Sequence, residues 1–168
     1  MIQSFSKFLS MCGFRIGYIT APEPIIEKIK NVHHTMNICA NSLAQYAAYK
    51  ALTNPMQLKE SINHLVKTYQ KRRDLALEIL RESSLIHFSK PEGAFYIFPK
   101  VGGIDTLKFC KWLKLKYGVI TVPGNFFSME NMEEHNQYFR ICFTTSNENL
   151  DKGLNKILLA LEDYANKT

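Results

Sequence analysis

The sequence predicts an α/β layer architecture, and three observations carry the prediction. Short segments rich in β-branched and aromatic residues recur along the chain. Segments of helical period lie between them, so that strands and helices interleave. One helix-period stretch, residues 56–83, would span roughly 40 Å at the α-helical rise, long enough to link two bodies.

The first strand is expected at FRIGYITA, residues 14–21, and reads as buried from its composition, with APEP stopping it. A helix follows with Pro24 at its first position and Ile25, Ile26, Ile29 and Val32 as its apolar stripe, and HHTMNICAN breaks it. Ser42 is placed to cap an alanine-rich helix, LAQYAAYKAL, that ends at Asn54-Pro55. In the long helix, Ile62, Val66, Tyr69, Ala76, Leu77 and Leu80 keep helical period. Beyond it come strands within HFSKPEGAFYIFPKV, a helix over IDTLKFCKWLKLKYG, and strands within VITVPGNFF and QYFRICFTT. The last helix starts at TSNE, a capping box from Thr145 to Glu148, and carries Leu150, Leu154, Ile157, Leu158 and Leu161 on one face. No internal repeat or low-complexity segment interrupts the order.

Composition narrows the function classes. With 46% hydrophobic residues in 168, the chain can bury a real core. Its apolar runs are too short for a membrane span, and its first residues lack the order of a signal peptide, so the expected location is the cytoplasm. The net charge of +6 is spread out, with Lys67, Lys71, Arg72 and Arg73 among Asp74, Glu78 and Glu82, and Lys108, Lys111 and Lys114 on one helix face. No nucleic-acid-binding motif accompanies that charge, so no nucleic-acid partner is expected. Cys12, Cys39, Cys110 and Cys142 are scattered, without metal-ligand spacing, and read as reduced thiols, mostly in the core; no metal site is expected. His33, His34, His64, His87 and His135 form no catalytic pattern.

The stretch with chemical content is SFSKFLSMCGFRIGY, residues 4–18. A lysine amine attacks carbonyl compounds once neutral, and Lys7 is a candidate nucleophile. Ser4 and Ser6, with the backbone N–H groups of their turn, and Arg15 are suited to an anion, Arg15 through two parallel hydrogen bonds. An aldehyde bearing a phosphate, pyridoxal phosphate, would satisfy both halves. Residue chemistry alone leaves open a plain surface turn, with Arg15 an ordinary strand-edge charge.

SFSK with GFRIGY (13–18) resembles the lysine loop and following strand of the class I/II aminotransferases, pyridoxal-phosphate enzymes of fold type I, in the aspartate/aromatic group. Later segments resemble that family in the same order: NSLAQ (41–45) with Ala47 and Ala48, YQKRRD (69–74), PEGAFY (91–96), VPG (122–124) with Phe126, and FRICF (139–143) leading to SNENL (146–150). The resemblance implies amino-group transfer from an amino acid to a 2-oxo acid. Lys7 would bind the cofactor aldehyde as an imine and then move the proton at the substrate α-carbon. Ser4 and Arg15 would hold the cofactor phosphate, Arg140 would clamp the substrate carboxylate, and Phe95 would line the substrate cavity. A structural ion pair is the competing reading of Arg140, and a core position that of Phe95.

The resemblance further implies that the chain is the C-terminal part of such an enzyme. Residues 1–55 would end the large cofactor-binding domain, 56–83 form the linking helix, and 84–168 make the small α+β domain. In that family a preceding large domain supplies the acid at the pyridine nitrogen and the ring stacked on the cofactor, so catalysis by this chain alone is expected to be impaired. Self-association, as a homodimer or otherwise, is expected. The alternatives are a non-catalytic folded remnant or interaction module, and a pyridoxal-phosphate lyase of the same fold. The substrate side chain is left open.

Overall fold

The computed structural model describes residues 1–128 and 132–167. The chain divides into two compact units, Met1–Val66 and Lys67–Thr168. No helix among the described residues is long and apolar enough to cross a membrane.

In the first unit, β1 (Ile2–Ser4) pairs antiparallel with β2 (Gly17–Ile19), with Ile2 opposite Ile19, Gln3 opposite Tyr18 and Ser4 opposite Gly17. Gly17 makes that register possible, because a Cβ there would lie 2.5 Å from the Gln3 carbonyl oxygen. The pairing continues through Phe5 N–H donating to Ile16 O at 3.2 Å. Phe5, Met11 and Ile16 pack with Ala44 and Ala48 of helix α2 (Ser42–Leu52) into a small buried core. The small side chains of α2 allow this close approach, as its alanine-rich sequence implies.

Four details of this unit differ from the sequence expectation. FRIGYITA is a strand only over Gly17–Ile19 and is exposed at all three residues, not buried. Its partner β1 offers three residues, Cys12–Phe14 winds into a 3-10 turn, and Arg15 takes a left-handed conformation, φ 52°, which ends the extended run. Helix α1 (Glu23–Asn37) passes through HHTMN, whose residues are tolerable helix formers without Gly or Pro, and stops at Ile38 with φ 53°. None of its residues is buried, its apolar stripe included. Asn41, not Ser42, caps α2, accepting from Ala44 N–H at 3.0 Å.

Helix α3 (Pro55–Leu80) crosses the boundary between the units; in the second unit its Ala76, Leu77, Ile79 and Leu80 are buried. There β3 (Ile86–His87) pairs with β5 (Lys100–Val101). The strands β4 (Tyr96–Ile97), β7 (Phe139–Cys142) and β6 (Val122–Pro123) form a three-stranded antiparallel sheet with β7 in the middle. Period-two alternation assigns its faces: Phe139 and Ile141 are buried, while Arg140 and Cys142 point the other way. Helix α4 (Thr106–Tyr117) is capped by Asp105, which accepts from Leu107 and Lys108 N–H, and ends at Gly118 in the left-handed region.

After the short helix α5 (Met132–His135), α6 (Asn147–Ala165) completes the core. Leu150, Leu154, Ile157, Leu158 and Leu161 are all buried, as its periodicity requires. Its cap is Ser146, accepting from Asn149 N–H at 3.3 Å, one residue beyond the expected Thr145. Phe109, Phe139, Phe143 and Leu113 are buried to 1% exposure or less. Each such side chain contributes about 1.5–3 kcal/mol of burial.

Candidate functional site

The sequence candidates fall into two groups, one in each unit. In the first, the hairpin register sets the geometry. Ser4 stands opposite Gly17 and Phe5 N–H donates to Ile16 O, so Ser4 and the residue after Arg15 are held on neighbouring strands of one hairpin. The turn after β1 then carries Lys7, closed by Ser10 N–H donating to Lys7 O at 3.1 Å.

Hydrogen bonds tie these residues together. Ser4 Oγ and Ser6 Oγ are 2.9 Å apart, and Ser6 N–H donates to Ser4 Oγ at 3.1 Å. Arg15 Nη1 donates to Cys12 O at 3.0 Å, and Cys12 Sγ donates to Ser6 O at 2.9 Å. Lys7 Nζ donates to Cys12 Sγ at 4.0 Å, the outer limit for a sulfur acceptor. Ser4, Lys7 and Arg15 are therefore on one connected hairpin and turn, each of them exposed.

This donor set fits an aldehyde that bears a phosphate. It places two hydroxyls, a backbone turn and a guanidinium for the anion on the same turn as a primary amine for the carbonyl. The two hydroxyls and the guanidinium at this turn can all donate to an anion. Arg15 Nη1 engages a carbonyl oxygen, and no acceptor among the described residues takes its other N–H groups.

The second group lies on the outward face of the β4–β7–β6 sheet. Arg140 sits between two rings, its guanidinium carbon 4.4 Å from the Tyr96 centroid and 4.8 Å from that of Phe127. Among the described residues no carboxylate lies within ion-pair distance of it. A guanidinium against aromatic rings retains the planar fork of N–H donors that a carboxylate can meet bidentately.

Phe95 precedes β4 and packs against the core, its ring 5.8 Å from Tyr69 and 4.6 Å from Tyr96. It is half-buried, and Phe143 N–H donates to its carbonyl at 3.1 Å. Ala94 before it has φ 57°, an uncommon left-handed conformation for a residue with a Cβ.

Sequence reasoning assigned no role to Tyr96 or Phe127. Tyr96 stands opposite Cys142, two residues from Arg140 and on the same sheet face, but only the register reveals it. The sequence reading places the four cysteines mostly in the core. The structure buries only Cys110 and exposes Cys12, Cys39 and Cys142, because the last residue of β7 faces outward and the other two lie at turns of the first unit. No group of three or more His, Cys, Asp or Glu side chains suited to a metal occurs among the described residues.

Comparison with known proteins adds independent evidence. The family described as aminotransferase class I and II matches residues 1–157. An aspartate aminotransferase from Thermotoga maritima is 35% identical over 98% of this chain and 39% of its own length. An aromatic aminotransferase from Pyrococcus horikoshii superposes with a TM-score of 0.88 at 31% identity, over 98% of this chain and 43% of that one. A kynurenine aminotransferase from Pyrococcus horikoshii, solved with PMP and kynurenine, gives a TM-score of 0.84 at 28% identity, over 97% and 40%. The chain thus spans about two fifths of the length of the relatives it matches, as a C-terminal part. The α/β arrangement of strands and helices follows that of fold type I aminotransferases. With the family match running over nearly all of its residues, the chain belongs to the aminotransferase class I and II family.

Proposed function

We propose that this chain carries the nucleophile, the phosphate grip and the substrate-carboxylate clamp of a pyridoxal-phosphate-dependent aminotransferase that passes an amino group from an amino acid to a 2-oxo acid. One observation carries the reading: Ser4, Lys7 and Arg15 are gathered on a single hairpin by its register and its hydrogen bonds. Pyridoxal phosphate, when bound, supplies the aldehyde and a ring that delocalises the electrons left when the substrate α-carbon loses its proton.

The chain's own residues do the rest. Ser4 Oγ, Ser6 Oγ and Arg15 would hold the phosphate and so fix the distance from Lys7 to the aldehyde end. Lys7 Nζ, on its flexible stem, would bind there and then take and return the proton at the substrate α-carbon as general base and acid. Arg140 would fix the substrate through its carboxylate, oriented by Tyr96 and Phe127. Phe95 would border the substrate space beside Tyr96.

In the resembled family the acid that keeps the pyridine nitrogen protonated comes from a preceding domain, so turnover by this chain alone should fall far below the ~10 per second of an ordinary enzyme. The first unit also exposes Ile2, Met36, Ile38 and Leu43 at 74% or more, an apolar surface of the kind that drives association, and a homodimer is the proposed outcome.

The test is reductive trapping. The chain is mixed with pyridoxal phosphate, reduced with borohydride and mapped by mass. Lys7 should carry the adduct in excess over other lysines, and free phosphate should compete. Label spread over surface lysines, with Lys7 no richer than the rest, would overturn the assignment.

A further inference from the structure

Lys7 and Cys12, five positions apart, present an amine and a thiol to one another, with Nζ and Sγ 4.0 Å apart and both residues exposed. Cys12 Sγ is held on that side by its hydrogen bond to Ser6 O, and the turn is closed at Ser10 N–H to Lys7 O and Phe14 N–H to Met11 O. Bringing nitrogen to sulfur therefore needs only rotation about the lysine stem, without movement of the backbone. Peroxides oxidise cysteines that solvent reaches, and Cys12 is exposed.

We propose that Lys7 and Cys12 form a peroxide-responsive modification site, in which oxidation of Cys12 captures the Lys7 amine as a reversible sulfur–nitrogen cross-link. In the first step the Cys12 sulfur attacks a peroxide oxygen. The O–O bond breaks, sulfur loses two electrons and becomes a sulfenic acid, and water leaves when the peroxide is hydrogen peroxide. In the second step the lone pair of neutral Lys7 Nζ attacks that sulfur. The S–N bond forms, the S–O bond breaks, and the hydroxyl leaves with a proton from nitrogen as a second water. Two equivalents of a low-molecular-weight thiol reverse it, returning thiol and amine and leaving as a disulfide. Sulfenic acids condense even with a backbone amide nitrogen to give a sulfenamide, and a neutral amine is the stronger nucleophile. The functional consequence, an amine unable to take up pyridoxal phosphate while oxidised, rests on the role proposed above for Lys7; the cross-link itself does not.

The experiment uses the full chain without cofactor, treated with hydrogen peroxide and read by intact mass, thiol titration and tryptic mapping. The expected product is lighter by two hydrogens, has lost one titratable thiol and is no longer cleaved after Lys7, and dithiothreitol restores it. Cys12→Ser and Lys7→Arg should each abolish it, and Cys39→Ser should leave it intact. Loss of two thiols would mean a disulfide and would overturn the proposal. So would persistence in Cys12→Ser, or a Cys12 sulfenic acid trapped by dimedone while cleavage after Lys7 continues. Borohydride trapping of pyridoxal phosphate on the untreated chain tests the role of Lys7 separately. A cross-link without such trapping would therefore fault the functional reading and leave this one standing, and trapping without a cross-link the reverse.

Discussion

Replacing Arg140 by lysine separates the two things the Tyr96–Phe127 sandwich does. Lysine keeps a cation between the rings, which lie 4.4 and 4.8 Å from the guanidinium carbon, so most of the ring attraction survives. At a half-exposed site that attraction is about 0.5–1 kcal/mol per ring, and the change in folding stability should stay below ~1 kcal/mol. What lysine lacks is the planar fork. A carboxylate that met two parallel N–H groups would meet one point charge, a loss of about 2–4 kcal/mol when the pair is shut away from water. At about 1.4 kcal/mol for each factor of ten, kcat/KM for amino transfer should fall roughly 30- to 1,000-fold while the melting temperature barely moves. The assay is steady-state transamination by the complete polypeptide, with KM and kcat separated for the amino acid, beside a thermal melt. A fall of less than about threefold in kcat/KM, with the protein folded, would refute the carboxylate role. A large drop in melting temperature with kcat/KM unchanged would make Arg140 a structural stack.

Three further outcomes follow from the geometry. In Gly17→Ala the new Cβ would lie 2.5 Å from Gln3 O and 3.4 Å from Ser4 Cα, both backbone, so the hairpin must open. The expected cost is about 1–3 kcal/mol by thermal melt with reduced trapping at Lys7, and an unchanged melt with unchanged trapping would sink the register argument. Asp163 accepts from Lys116 at 2.6 Å and from the Tyr117 hydroxyl, and these bonds, that of Lys116 first, hold its carboxyl below the ordinary 3.8. Its contribution to stability is thus present above the unfolded value and lost as pH falls through the lower folded one. Melting temperature should accordingly drop less steeply with acidification in Asp163→Asn than in the unaltered chain, and parallel curves would show that the link between α4 and α6 carries no pH dependence. Finally, light scattering on the purified chain should report an assembly larger than a monomer that dissociates on dilution, and a coupled assay should find turnover well under ~10 per second. A stable monomer with ordinary turnover would contradict both expectations.

Some of this protein was determined by local sequence alone. The apolar residues of α6 recur at helical spacing, so the buried face from Leu150 to Leu161 is legible in the order of the residues themselves. Asn54-Pro55 marks the end of the alanine-rich helix through backbone restrictions that act within one or two residues, and α2 stops at Leu52. The residue types of SFSK with Arg15 suit an amine beside an anion site, but on their own they leave a plain surface turn open.

Tertiary structure decided what depends on residues far apart in the chain. Arg140 lies in an apolar strand, where sequence offers an ion pair and a ligand clamp as rivals. The pairing of β4 with β7 and the 3-10 turn Gly124–Phe127 bring Tyr96 and Phe127 to its guanidinium, and no local pattern encodes that. FRIGYITA has the composition of a buried strand, yet burial depends on what covers a segment, and its three strand residues pair with β1 and stay exposed. Cys12 shows the same limit. A thiol's residue type favours the core, but whether it packs inward or faces Lys7 is set by the turn that closes between them, because accessibility and distance belong to the folded chain and side-chain chemistry to the sequence.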